Sequence, residues 1–181
     1  YLLGDLLYEM MLQSDNDAAY AIAKHISGDT LSFCDMMNEK AAYLGMTNTH
    51  FVNPNGMPAP DNFSTANDLI RLARYAMRDS MFAEIVGTTE KSVPLIDGRH
   101  MDCRNTNALL FSYEGCFGIK TGYTRQAGNC LASAATRDGT TLYLVLLHSR
   151  SMRSRFTESA ILLDYGFRVM QTYHDLTNYN K

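Results

Sequence analysis

Residues 118–132 read GIKTGYTRQAGNCLA, and this stretch opens the part of the chain that decides the fold. Asn129–Ala135 is strand-like, and Gly118–Gly122 is the expected strand before it. Thr141–His148 is also strand-like and follows Arg137-Asp138-Gly139, whose Asp-Gly pair favours a tight hairpin turn. We therefore predict three successive strands of one antiparallel sheet.

A shorter hairpin is predicted upstream of this sheet. Lys91–Leu95 and Arg99–Cys103 flank Asp97-Gly98, which favours a two-residue hairpin turn. Further upstream, residues 47–63 contain Pro54, Pro58, Pro60 and several Asn, so we expect a long ordered loop rather than a linker between domains.

Apolar residues at helical spacing occupy both ends of the chain. Five predicted helices have bounds at both ends: Asp5–Gln13, Asp17–Ile26, Phe33–Leu44, Met81–Val86 and Ser151–Tyr165. Gly28, Gly45 and Gly166 are the expected stops of the second, third and last of these. A further helix is expected to begin at a capping box formed by Thr65 and Asp68. The stripe of Met36 and Met37 is expected in the core. This order indicates an α+β fold, an antiparallel sheet packed with helices plus a helical cluster, in a single domain over residues 1–181.

Composition excludes several classes of partner. The formal net charge is -3 and the sixteen Lys and Arg residues are scattered, so nucleic acid is not an expected partner. No apolar run approaches the roughly twenty residues that span a bilayer.

The histidines form no H-E-x-x-H motif and the four cysteines no C-x-x-C pair, so we expect no metal and no cofactor. We expect buried free thiols, with one disulfide left open.

Two short motifs carry the chemistry. Ser14-Asp15-Asn16 lies at the junction of two predicted helices, and Lys120-Thr121-Gly122 lies on a predicted strand. S-D-N and K-T-G accompany S-x-x-K in β-lactamases and penicillin-binding proteins. Alone, each triplet has an ordinary explanation, because Ser14 and Asn16 are preferred helix caps and Lys120 suits a solvated strand edge. Their order and their settings together favour an active site.

Four segments resemble the low-molecular-mass penicillin-binding proteins, the serine-type D-alanyl-D-alanine carboxypeptidases of the peptidase S11 kind. They are residues 5–23 (DLLYEMMLQSDNDAAYAIA), 49–69 (THFVNPNGMPAPDNFSTANDL), 118–132 and 153–167 (RSRFTESAILLDYGF), nearly the whole length of the chain. The resemblance implies a penicillin-binding/β-lactamase-like fold and a place in the bacterial envelope outside the cytoplasm. The implied substrate is a peptidoglycan stem peptide ending in D-Ala-D-Ala, cleaved through an acyl-enzyme, with β-lactams as covalent inhibitors.

The resemblance also implies a role for each matching residue. Ser14 would pass a proton to the departing D-alanine nitrogen, and Asn16 would hold the substrate backbone and orient the lysine base. Lys120 and Thr121 would bind the terminal carboxylate of the substrate.

Gly122, Tyr123 and Arg155 complete the site by the same resemblance. Gly122 would let the substrate strand approach, the backbone N–H of Tyr123 would donate to the oxyanion, and Arg155 would contact a carboxylate or the scaffold. No lysine of the chain has a serine three positions before it, so the nucleophile and base of S-x-x-K are absent. We expect a chain truncated at its N-terminus, lacking the opening strands, inactive by itself, and prone to form a strand-swapped or edge-paired dimer.

Two other functions stay open at this point. A class A β-lactamase shares both motifs, although no convincing separate Glu-centred deacylation segment lies between them. A non-catalytic peptidoglycan-binding module would keep the substrate groove without a nucleophile.

Overall fold

The computed structural model of the protein describes residues 2–95 and 97–179. The helices are α1 (Leu3–Tyr8), α2 (Asn16–Ser27), α3 (Thr30–Tyr43), α4 (Ala66–Ala76), α5 (Ser80–Gly87), α6 (Leu109–Ser112) and α7 (Met152–Tyr179), with a π-helical turn (Glu9–Gln13) after α1. The strands are β1 (Glu90–Pro94), β2 (His100–Arg104), β3 (Cys116–Thr124), β4 (Gly128–Arg137) and β5 (Thr140–Ser149).

The main sheet consists of the three antiparallel strands that the sequence predicts, in the order β3-β4-β5. In its register Gly122 lies opposite Cys130. The turn between β4 and β5 has Asp138 at φ 47° and Gly139 at φ 74°. Positive φ at both central residues is what a type I′ hairpin turn requires, so the Asp-Gly signal is confirmed.

Helices cover both faces of this sheet, and the predicted α+β fold is confirmed. α7 packs on β4 and β5, and the core on that side is Leu109, Leu131, Ala135 and Leu163. α4 and α5 pack on the opposite face, where the core is Ala73, Val86, Ile119 and Ala134. α2 and α3 pack against each other beside this core.

A small second core lies under the π-helical turn. The hairpin β1-β2 and α5 enclose Leu12, Ile85, Val93 and Cys103, each at most 6% exposed. Because Leu12 belongs to the π-helical turn and is fully buried, this core holds the end of the turn in place. The Ser14-Asp15-Asn16 junction follows directly.

The loop over residues 47–63 is ordered by its contacts with the start of α4. The Thr65 hydroxyl accepts from the N–H of Asp68, as a helix cap should. The Asp68 carboxylate does not close a capping box. It accepts instead from the N–H of Asn48 and from the Thr49 hydroxyl, and so ties the loop to the helix.

The last helix is longer than predicted. α7 runs through Gly166 to Tyr179, so the prediction of a stop at Gly166 is wrong. Gly166 faces the sheet, where an added Cβ would lie 2.8 Å from Leu142 Cδ1, and the residue serves close packing rather than helix termination. Within the described residues, no helix combines the length and the hydropathy needed to cross a membrane.

Two smaller predictions are also wrong. The β1-β2 register places Pro94 opposite His100, so the connection is longer than the two residues Asp97-Gly98. Met36 is 48% exposed, because α3 buries only Cys34 and Ala41.

Candidate active site

Ser14 is placed by a sharp change of backbone direction. It ends the π-helical turn in the left-handed conformation, at φ 62° and ψ 42°. The N–H groups of Ser14 and Asp15 both donate to the carbonyl of Glu9, and Asp15 caps α2 by accepting from the N–H of Ala18 at 2.8 Å. These bonds leave the Ser14 side chain exposed between two helices. A π-helical turn at such a junction is common at functional sites.

Lys120 reaches Ser14 from the central part of β3. Its ammonium donates to the Ser14 hydroxyl and, at 3.0 Å, to the carbonyl of Thr121. Ser14 and Lys120 are 106 residues apart in the sequence. The two motifs singled out from the sequence therefore form one site.

The surroundings of Lys120 are largely apolar. A cavity of about 420 Å³ adjoins Lys120 and is lined mainly by apolar side chains, among them Met11, Leu69, Leu72 and Val145. This burial, together with the positive charge of Arg155, lowers the pKa of Lys120 to about 8. Lys120 can therefore exchange its proton much closer to neutral pH than an exposed lysine.

The hydroxyl of Thr121 contacts a residue outside the two motifs. Thr121 is 8% exposed and its hydroxyl lies 2.6 Å from that of Thr106. The N–H of Thr106 donates to the carbonyl of Leu12 at 3.1 Å. Thr106 thus connects the π-helical turn with β3, a role that the sequence analysis missed. Its flanking residues Asn105 and Asn107 are both buried, but Asn-Thr-Asn in a sequence resembles an ordinary polar turn, so no sequence signal marked Thr106.

Arg155 supports β3 from behind. It is 5% exposed, and its guanidinium donates to the carbonyls of Gly122 at 3.2 Å and Cys130 at 3.4 Å. The Arg155 Nε has no hydrogen-bond partner among the described residues. Of the two roles expected for this arginine, the scaffold contact is present.

Gly122, Tyr123 and Asn16 lie around the Ser14-Lys120 pair. Tyr123 follows Gly122 on β3, and its side chain is 67% exposed. Asn16 opens α2 two residues after Ser14, and its exposed side chain makes no hydrogen bond within the described residues. The roles expected for these three residues, and the carboxylate contact expected for Thr121, stay predictions.

The sequence matches the family described as D-alanyl-D-alanine carboxypeptidase, peptidase S11, over residues 1–151. The chain belongs to this family. A D-alanyl-D-alanine carboxypeptidase of Streptomyces sp. (strain K15) is 42% identical over 175 residues, covering 91% of this chain and 60% of the relative. Another, from Bacillus subtilis, is 31% identical over 169 residues, covering 93% of this chain and 43% of the relative. The chain thus spans only part of the length of these curated relatives.

Solved structures of such peptidases share the fold. The crystal structure of the Streptomyces K15 DD-transpeptidase matches with a TM-score of 0.86 at 37% identity, over 91% of this chain and 67% of that one. A D-alanyl-D-alanine carboxypeptidase from Mycobacterium tuberculosis matches with a TM-score of 0.86 at 35% identity, over 93% of this chain and 65% of that one. The penicillin-binding fold implied by the sequence resemblance is confirmed.

Proposed function

We propose that this chain carries the S-x-N and K-T-G parts of a serine D-Ala-D-Ala carboxypeptidase, which removes the terminal D-alanine from peptidoglycan stem peptides. The observation that carries the proposal is the hydrogen bond from the Lys120 ammonium to the Ser14 hydroxyl. Membership of the carboxypeptidase family supports it.

The proposed reaction is acyl transfer to the serine of S-x-x-K, which these 181 residues do not contain. The lysine of S-x-x-K takes the proton of that hydroxyl, and the serine oxygen attacks the carbonyl carbon of the penultimate D-alanine. As the peptide C–N bond breaks, the leaving nitrogen gains a proton from the Ser14 hydroxyl, which recovers a proton from the same lysine. Ser14 is suited to deliver this proton. The Lys120 ammonium occupies one of the two acceptor positions of the Ser14 hydroxyl, and the O–H remains free to donate. Water then hydrolyses the acyl-enzyme and restores the serine.

Substrate binding is assigned to the edge of β3. Within the part of the chain that the structure describes, β3 pairs with β4 on one side only, so its other edge can accept an extended peptide as an added strand. In that position the N–H of Tyr123 would donate to the oxyanion. The terminal carboxylate would meet the positive charge of Lys120 and the hydroxyl of Thr121, which has hydrogen-bonding capacity beyond its contact with Thr106.

A cleft of about 520 Å³ continues from this edge and offers room for the rest of the stem peptide. It lies between Gly122–Thr124 and the 47–63 loop, from which Phe51 and Asn53 contribute. β-Lactams, which acylate the same kind of serine, are the expected covalent inhibitors of a protein that contains S-x-x-K. Its substrate places such a protein outside the cytoplasm, in the bacterial envelope.

The test of the catalytic assignment is release of D-alanine from a peptide ending in D-Ala-D-Ala. The enzyme is the chain extended upstream by about seventy residues to include S-x-x-K. Ser14→Ala and Lys120→Ala should each lower kcat by about 100-fold or more, because each removes a proton-transfer group. Lys24→Ala, at an exposed position of α2, is the matched control and should leave the rate unchanged. Equal rates for all four proteins would contradict the assignment.

Binding can also be tested apart from hydrolysis, because these 181 residues contain no lysine with a serine three positions before it. The 181-residue chain by itself would then bind the stem peptide at β3 without cleaving it. Equilibrium dialysis with the same peptide tests this. Binding that Lys120→Ala weakens would support a binding module, and absence of binding would exclude it.

A further inference from the structure

Glu9 lies directly behind the Ser14 turn and has no role in the proposed reaction. Its backbone carbonyl accepts the N–H groups of both Ser14 and Asp15, the second at 3.4 Å. Any displacement of Glu9 is therefore transmitted to the residue that contacts Lys120. This link is made by backbone hydrogen bonds and does not depend on the identity of the side chain.

The Glu9 side chain is buried and forms no ion pair with another side chain in residues 2–95 and 97–179. Glu9 is only 4% exposed, and its Oε1 has no hydrogen-bond partner among the residues that the structure describes. The residue belongs to the same turn as Leu12, whose neighbours Ile85 and Val93 are apolar. A carboxylate oxygen that is buried without a hydrogen-bond donor disfavours the charged form of the group, whereas the protonated acid is tolerated.

The acidic groups around Glu9 also favour its protonated form. Burial is the largest influence that raises the Glu9 pKa, and the charges of Asp15 and Asp5 raise it further, whereas the positive charge of the amino terminus lowers it. Across the interface with β2, Glu9 in turn acts on the thiol of Cys103. Other charged or titratable groups on the surrounding elements are Tyr8 on α1, Asp17, Tyr20, Lys24 and His25 on α2, Glu84 on α5, Glu90 and Lys91 on β1, His100, Asp102 and Arg104 on β2, and Lys120 on β3. Lys91 contacts Tyr8 and Lys120 contacts Ser14, and neither forms an ion pair with Glu9.

We propose that Glu9 is a positioning residue whose proton holds the Ser14 turn in register with Lys120. With the carboxyl protonated, the π-helical turn closes on its apolar core. Loss of the proton to solvent leaves a carboxylate that draws water into this core and repels Asp15, the N-cap of α2. Because Ser14 lies between Glu9 and Asp15 in the turn, its hydroxyl then moves relative to the Lys120 ammonium. The consequence for catalysis rests on the proposed function, but the structural coupling does not.

The coupling is tested by NMR on the 181-residue chain, without any turnover. The backbone amide signals of Ser14, Asp15 and Asn16 are followed from about pH 3 to about pH 8, which covers the ordinary range of carboxyl groups and the range above it. We expect them to shift together with one midpoint above the ordinary carboxyl range, and the shift to be absent in Glu9→Gln. Glu84→Gln is the matched control, since Glu84 is an exposed carboxyl on the neighbouring α5, and it should titrate as the wild type does.

Three results would overturn the proposal. The first is the absence of a shared midpoint in the wild type, which can be read even if the variant does not fold. The second is an unchanged titration in Glu9→Gln. The third is a side-chain ¹³C titration of Glu9 in the ordinary carboxyl range. A failed proposal of catalytic function would instead show in D-alanine release, which this experiment does not use.

Discussion

Lys120 carries a buried charge, which lowers the stability of the fold, and it contacts Ser14, which the proposed activity requires. Its pKa is lowered from 10.5 to about 8, which corresponds to a cost of at most about 3 kcal/mol in the free energy of unfolding at neutral pH. We predict that Lys120→Met stabilises the chain at pH 7 by up to that amount. A protein containing S-x-x-K would lose its activity through the same change.

The pH dependence of this effect follows from the direction of the shift. Between about pH 8 and pH 10.5 the unfolded chain still binds a proton that the folded chain has released, so wild-type stability rises with pH. The advantage of Lys120→Met should shrink across that window. Denaturant unfolding at several pH values measures it, with the exposed Lys24→Met as control. A variant less stable than the wild type at pH 7 would count against the buried-charge account.

Arg155 gives a second prediction at the same scale. Its charge contributes to the lowered pKa of Lys120. Arg155→Met should therefore raise the pKa of Lys120 towards its ordinary value, as followed by the ¹³C signal of the lysine Cε. An unchanged or lower midpoint would show that burial alone sets the pKa.

The site could be predicted from the sequence only in part, for a reason visible at single residues. Ser14 and Lys120 belong to triplets whose order is informative. Thr106 and Glu9 are single polar residues without a motif. Only the hydrogen bonds of both residues and the burial of Glu9 reveal their positions beside the site. Glu9 is one polar residue within a helical stretch of apolar residues, and the spacing of those residues does not show that its side chain is buried.

At the scale of elements, the turns that frame the main sheet depend on glycine to different degrees. Gly115 precedes β3 at φ 79°, and an added Cβ would lie 2.1 Å from the carbonyl oxygen of Thr136. Gly139, in the β4-β5 turn, has φ 74° but open space around it. Gly139→Ala should cost about 1–2 kcal/mol from backbone strain alone. Gly115→Ala should lower the free energy of unfolding clearly more, because the backbone at residue 115 or at Thr136 would have to shift to make room for the new Cβ.

Thermal or denaturant unfolding of the two glycine variants checks this ranking. Similar losses would mean that the β3-β4 register adjusts around residue 115.

The elements were predictable where local chemistry acts alone, as in the Asp138-Gly139 turn and the Gly28 and Gly45 helix ends, all with positive φ at glycine. They were not predictable where packing prevails over local preference. Gly166 reads as a helix stop, yet α7 continues through it because the sheet packs closely there.

At the scale of the whole molecule, β5 presents an edge that has no strand partner within the described residues. Thr140–Ser149 contains no Asp, Glu, Lys, Arg or Pro, the residues that commonly protect a sheet edge. We predict that the chain, studied by itself, forms edge-paired dimers through β5. Light scattering should show a dimer that Leu147→Lys dissociates. A monodisperse wild-type monomer would exclude it.

The measurement that most directly tests the Ser14-Lys120 site is labelling by a fluorescent penicillin with mass spectrometry. It would compare this chain with the chain extended upstream by about seventy residues to include S-x-x-K. The account predicts covalent labelling of the extended chain alone, abolished by Lys120→Ala and retained by Lys24→Ala. If neither chain is labelled, or if Lys120→Ala is labelled as readily as the wild type, the contact between Ser14 and Lys120 is not part of an acyl-transfer site.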